Sequence, residues 1–148
     1  MPTPQTPADE TPTDDPLLPL LDTLLEAERA GARVTLESID ETTDAGLKAL
    51  LTRIHQDEVT WCGMLMEAIR ERGAVPSSRT GDFYGKAMAI TDPMARLAFL
   101  NRGQQWVAKR LRELLANMPD DTRLKSRLEV MLASHDDNID RVSAQLRG

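Results

Sequence analysis

The sequence predicts an all-α protein built as one four-helix bundle. Three observations support this: a composition with only 3% aromatic residues but abundant leucine, alanine and methionine, four stretches bounded by helix start and stop signals, and apolar residues at helical spacing within each stretch. The chain has 148 residues, a length that fits one domain with a substantial core.

Charge and cysteine content argue against several classes of protein. The net charge is -6 at pH 7, whereas a general nucleic-acid binder needs a positive face. No apolar run approaches the ~20 residues needed to cross a bilayer, and the N-terminus lacks the basic and apolar regions of a signal peptide. The single cysteine permits no internal disulfide. We therefore expect a cytoplasmic protein without nucleic-acid or membrane partners.

The first 15 residues differ in composition from the rest of the chain. Residues 1–15 are dominated by proline, threonine and acidic residues, which predicts a disordered tail, and residues 16–148 form the predicted bundle domain. The predicted helices start at Asp15-Pro16, Thr43-Asp44, Asp92-Pro93 and Thr122, and they end near Asp40, Arg72, Asn117 and Gln145. Helices this long must pack side by side.

The lengths of the connections predict the order of the helices. The first-to-second and third-to-fourth links are tight, so each of these pairs should be an antiparallel hairpin. The link from Gly73 to Thr91 is long, and at ~3.3 Å per residue it can run the full length of the bundle. One long crossover between helices 2 and 3, which would then run parallel, is the ferritin-like topology. A plain up-down bundle with a decorated loop is the alternative.

One polar residue lies at the centre of the apolar stripe of each predicted helix. These residues are Glu28, Glu58, Gln104 and His135, with Asn101 beside Gln104. The first two are almost equally distant from the first turn, and the other two from the last turn, about 15 residues or ~23 Å of helix in each case. We therefore expect the four side chains to meet in one layer at the middle of the bundle.

Carboxyl groups buried in such a layer need compensation. An unpaired buried carboxylate costs several kcal/mol, and two facing carboxylates repel each other. A metal ion is one remedy, because it takes carboxylate oxygen and imidazole nitrogen together. Protonation within a hydrogen-bond network through Gln104, Asn101 and His135 is the other. The sequence alone leaves both open.

Three segments resemble known proteins. LLEAERAG around Glu28 resembles the first helix of ferritin-like proteins of the rubrerythrin and bacterioferritin type. FLNRGQQWV and MLASHDDNI resemble a little-characterised bacterial branch of that superfamily, and the resemblance spans roughly residues 17–146. It implies a mid-bundle centre in which helices 1 and 3 each give a Glu and helices 2 and 4 each give Glu-x-x-His. Together these hold two iron or manganese ions that react with oxygen or peroxide.

The ligand set of that superfamily is incomplete in this chain. Glu28 and Glu58 match the Glu positions of the first two helices, and His135 matches the histidine of the fourth. Where the resemblance implies the other three ligands, the chain carries Trp61, Gln104 and Leu132. The two acids and one imidazole would suit a single Fe, Mn or Zn ion with open positions. Cys62, one turn beyond Glu58, is an additional candidate ligand.

Three functions are compatible with these residues. The first is a ferritin-like protein with a reduced metal site in redox or oxygen-related chemistry, in which Gln104 orients a ligand or bound water. The second is a non-catalytic bundle for oligomerisation, such as a homodimer, or for partner binding. The third is a small-molecule or cofactor pocket in the bundle core, lined by Trp61, Cys62 and Phe83. Gln104, Asn101 and Trp61 are the candidate cofactor-binding residues.

Overall fold

The computed structural model describes residues 15–119 and 122–148, and this part of the chain is helical, without a strand. The helices are α1 (Leu17–Glu41), α2 (Ala45–Glu71), α3 (Phe83–Met88), α4 (Pro93–Ala116) and α5 (Arg123–Arg147). The all-α prediction is confirmed, and the short α3 lies in the predicted long connection. The predicted tail lies outside the described residues except for Asp15, as do Asp120 and Asp121 of the last turn.

Side-chain caps mark the helix starts that the sequence predicts. The backbone N–H of Leu47 donates to Asp44 Oδ2 at 2.7 Å, and that of Ala95 donates to Asp92 Oδ2 at 2.8 Å. The backbone N–H of Lys125 donates to Thr122 Oγ1 at 3.1 Å. The first helix begins slightly later than predicted, because Pro16 rather than Asp15 occupies the cap position. Gly73, with φ 82°, ends α2 as predicted, since this left-handed conformation suits glycine.

The core consists of two apolar clusters, one towards each end of the bundle. The first cluster includes Leu21, Leu25, Leu65, Ile69, Leu111, Leu128 and Met131. The second includes Val34, Leu51, Ile54, Leu97, Leu100 and Val142. On each long helix the predicted polar residue falls in sequence between its members of the two clusters. Burial of the clusters stabilises the bundle, and the polar residues interrupt it at mid-height.

The segment between α2 and α4 follows α1 towards its C-terminal end. Its contacts are Ser77 with Asp22 (2.9 Å) and Glu26 (2.6 Å), the Arg79 carbonyl with Arg29 (2.7 Å), and the Tyr84 hydroxyl with Glu37. At the start of α4, the buried Arg96 donates to Glu41 Oε1 at 2.8 Å and to Ser38 Oγ at 3.2 Å. The beginning of α4 therefore lies beside the end of α1.

Candidate functional site

Glu28 and His135 form a buried pair at the middle of the bundle. Each residue is 1% exposed, and His135 Nε2 lies 2.9 Å from Glu28 Oε2. The other ring nitrogen, Nδ1, lies 3.0 Å from the carbonyl oxygen of Met131. A carbonyl oxygen only accepts, so Nδ1 carries a hydrogen, and the Nε2–Oε2 contact must then hold one further proton.

The position of that proton follows from the surroundings of His135. Burial by itself lowers the pKa of this imidazole, since it disfavours the charged ring. The charge and hydrogen bond of Glu28 outweigh burial, helped by the Met131 carbonyl, and the net pKa of His135 is raised above its ordinary value. These interactions favour an imidazolium bound to the Glu28 carboxylate.

Glu58 approaches the same layer from α2. Its side chain is 3% exposed, and its carboxyl group packs against Gly31 of α1. A methyl group added at Gly31 would lie only 2.4 Å from Glu58 Oε2, so glycine makes room for the carboxyl group. Burial, followed by the charges of Glu28 and Asp57, raises the pKa of Glu58 well above its ordinary value. This favours the neutral acid.

Several polar atoms in this layer have no hydrogen-bond partner within the described residues. They are Glu28 Oε1, Glu58 Oε1, and both Oε1 and Nε2 of Gln104, which is 3% exposed. An unsatisfied buried polar group costs about 1–3 kcal/mol. The layer therefore keeps unused hydrogen-bonding capacity on three helices at a substantial energetic cost.

A cavity of about 410 Å³ opens onto these side chains from the side of α1 and α4. Glu28, Glu58 and Gln104 are among its lining residues, together with Gly31. Its apolar walls are formed by Ala27, Phe83, Phe99, Leu100, Trp106 and Val107, and the remaining polar lining includes Thr23, Glu26, Thr80, Asp82 and Arg102. The volume falls in the range of small-molecule sites, about 300–1,000 Å³.

The close seating of α3 on α4 forms one wall of the cavity. Phe83 of α3 stacks on Phe99 with ring centroids 4.9 Å apart and planes 14° apart. A methyl group added at Gly103 would lie 2.7 Å from the Phe83 ring, so only glycine admits this ring position. The cavity thus depends on small residues in the middle of two helices, Gly31 and Gly103.

Four of the predicted site residues, Asn101, Trp61, Cys62 and His135, do not line this cavity. Asn101 instead donates to the Ile139 carbonyl and Ser143 Oγ, at 3.4 and 3.5 Å. The Trp61 indole N–H is buried and has no hydrogen-bond partner among the described residues. Neither Trp61 nor Cys62 belongs to the cavity lining, so the pocket wall predicted from them is not formed here. Of the three residues predicted to line a core pocket, Trp61, Cys62 and Phe83, only Phe83 lines this cavity.

The surroundings of Cys62 act on the protonation of its thiol. Burial and the nearby carboxyl groups of Glu28 and Glu58, partly offset by Arg29, raise the pKa of its thiol to about 12. A metal-binding cysteine is a thiolate. The protonated thiol is therefore the favoured form of Cys62.

The predicted metal ligands lie near one another but are engaged differently. Within residues 15–119 and 122–148, no three His, Cys, Asp or Glu side chains are arranged to hold a metal ion together. His135 Nε2 already binds Glu28 Oε2. As placed, these side chains do not fit a metal held by Glu28, Glu58 and His135, and the metal site stays a prediction.

Two features of the site were missed by the apolar-stripe reasoning. Gly31 and Gly103 each lie inside a helix, where glycine costs about 1 kcal/mol relative to alanine. That cost is a signal for close packing, which here involves Glu58 and Phe83. Aromatic residues at the cavity, Phe99 and Trp106, carried no signal distinguishing them from ordinary packing residues.

Fold and site together define an all-α helical bundle whose mid-bundle polar layer opens into a cavity of ligand-binding size. The chain belongs to the family described as Domain of unknown function (DUF6306), whose family model matches residues 15–144. Comparisons with curated proteins and with solved structures found no match. Among the helices of the described residues, none combines the length and apolar character needed to cross a membrane.

Proposed function

We propose that this protein binds a small organic molecule in the mid-bundle cavity. The observation that carries the proposal is the coincidence of the 410 Å³ cavity with unpartnered polar atoms of Glu28, Glu58 and Gln104. Ligand sites characteristically combine an apolar lining with a few polar groups that orient the ligand. A bound molecule that completes their hydrogen bonds would offset the cost of burying them.

The proposal includes a ferritin-like arrangement of the four long helices. Its support is the path of the segment after α2, which contacts α1 at Asp22, then at Glu37, and reaches Glu41 through Arg96. A segment following α1 in this way lets α2 and α4 run parallel, as in a bundle with one long crossover. In this arrangement the ligand lies where ferritin-like proteins hold metal.

Filling the cavity should abolish ligand binding. We expect Ala27→Phe, which places an aromatic ring into the apolar wall, to remove binding of indole, an uncharged probe small enough to enter. The measurement is saturation-transfer difference NMR on the full chain. Ala133→Phe, the same substitution on the exposed surface of α5, is the matched control and should bind like the original chain. Equal indole signals from both variants, or none from the original chain, would overturn the proposal.

A metal-binding function is a second candidate, favoured by one observation. The Nδ1–H of His135 is anchored by the Met131 carbonyl, the orientation that metal-binding imidazoles commonly have, which directs Nε2 into the layer. Elemental analysis after expression in iron-, manganese- and zinc-supplemented medium tests this candidate. One metal ion per chain, lost in Glu58→Ala and retained in Glu129→Ala on the exposed surface of α5, would support it over the organic ligand. Metal far below one per chain would reject it.

A further inference from the structure

The inner end of the cavity presents mainly hydrogen-bond acceptors. Three unpartnered oxygens, Oε1 of Glu28, Glu58 and Gln104, lie on residues that are at most 3% exposed. Among the fully buried side-chain nitrogens of the described lining residues, that of the Gln104 amide is the one without a partner. A ligand group that donates several hydrogen bonds therefore fits this end better than one that accepts them.

The charges around the cavity favour the same kind of ligand. Its acidic lining residues are Glu26, Glu28, Glu58 and Asp82, and its basic lining residue is Arg102. The Arg102 guanidinium lies 5.4 Å from the centre of the Phe99 ring, and His135 is paired with Glu28 behind the cavity wall. An anionic head group would meet buried carboxyl groups without a free cation beside them, whereas a cation would offset their repulsion.

The walls suit an apolar body behind that head group. Phe83, Phe99 and Trp106 are the aromatic residues of the cavity lining. Aromatic rings bury apolar groups and also attract cations through their faces. From the acceptors, charges and walls we infer that the ligand is an organic amine, with its ammonium group against Glu28, Glu58 and Gln104 and its apolar body against the aromatic walls. This inference rests on the proposed function.

Three probes of nearly the same shape separate head-group charge from cavity binding. They are 3-phenylpropylamine, 3-phenylpropan-1-ol and 3-phenylpropionate, each titrated into the full chain by calorimetry at neutral pH. We expect the amine to bind at least about tenfold more tightly than the alcohol, as charge-assisted hydrogen bonds are stronger than neutral ones, and the acid to bind most weakly. The inference would be overturned if the alcohol or the acid bound more tightly than the amine.

Variants at the inner end test whether the preference comes from these residues. We expect Glu58→Gln to reduce amine affinity about tenfold while leaving alcohol affinity nearly unchanged, since a bound ammonium group favours the ionised form of this otherwise neutral acid and glutamine cannot ionise. Glu129→Gln, an exposed change on α5, should leave both unchanged. Gln104→Met keeps the side-chain length without polar atoms and should also weaken amine binding. Thermal denaturation verifies that each variant is folded.

The outcomes distinguish the ligand class from the cavity function. If indole binds in the NMR experiment but the amine does not, or if neither variant alters amine affinity, the ligand is not an amine held by these residues. The cavity function then still stands. If indole also fails to bind, the proposed function itself is wrong, and the amine inference falls with it.

Discussion

Replacing His135 with alanine is expected to lower the free energy of unfolding by about 3–5 kcal/mol, the cost typical of removing one partner from a buried ion pair. The reason is that the carboxyl group of Glu28, 1% exposed, would stay buried without the imidazole that lies 2.9 Å from it. Loss of ring packing adds to the effect. Urea unfolding followed by circular dichroism at pH 6 measures the change.

A second histidine gives a matched control for this prediction. His55 is half-buried, and its ring hydrogen-bonds to the Ala32 carbonyl at 2.8 Å and contacts Thr35 at 3.2 Å, both on α1. Since no carboxylate of residues 15–119 and 122–148 forms an ion pair with it, we expect His55→Ala to cost only about 1 kcal/mol. Equal losses for the two variants would contradict a special role for the Glu28–His135 pair.

The same pair predicts a pH window for the effect. The folded pKa of His135 is raised, so its contribution to stability is fully present below its ordinary value of about 6.5 and is lost as pH rises through the folded pKa. The double variant Glu28→Leu/His135→Leu lacks both ionisable groups and should be close to neutral in stability. A double variant as unstable as His135→Ala would show that packing, rather than the unpaired carboxylate, dominates the loss.

Much of the fold could be predicted because its signals are local. Caps such as Asp44 and Asp92 act on the backbone two to four residues away, so sequence position alone identifies them. The rotation of 100° per residue likewise identifies a polar residue such as Glu28 within an apolar stripe. These are the features on which sequence and structure agree.

The cavity could not be predicted because it depends on contacts between distant segments. It requires the Phe83 ring to pack against Gly103 and the Glu58 carboxyl group to pack against Gly31. Helical periodicity within one helix does not predict either of these contacts. Periodicity also placed Trp61 and Asn101 near the site. In the structure, Asn101 instead donates to Ser143, and Trp61 stays outside the cavity lining.

Replacing Glu58 with glutamine is expected to raise the free energy of unfolding at neutral pH by about 1–3 kcal/mol. The folded pKa of Glu58 lies well above its ordinary value, because of burial and then the charges of Glu28 and Asp57. Between these two values the unfolded chain releases a proton that the folded chain retains. Stability therefore falls as pH rises through this window, by up to about 1.4 kcal/mol per pH unit. Glutamine does not titrate and removes this loss.

The difference between the two chains isolates this carboxyl group from all others that titrate. The unfolding free energies of Glu58→Gln and of the original chain should nearly coincide at pH 4. At pH 7.5 they should differ, and Glu58→Gln should be the more stable of the two. Glu129→Gln should follow the original chain at both values, because Glu129 is exposed on α5. Parallel profiles for Glu58→Gln and the original chain would refute a raised folded pKa. A variant that gains stability while losing amine affinity would show that this acid is retained for binding, since a purely structural residue at this position would be better as glutamine.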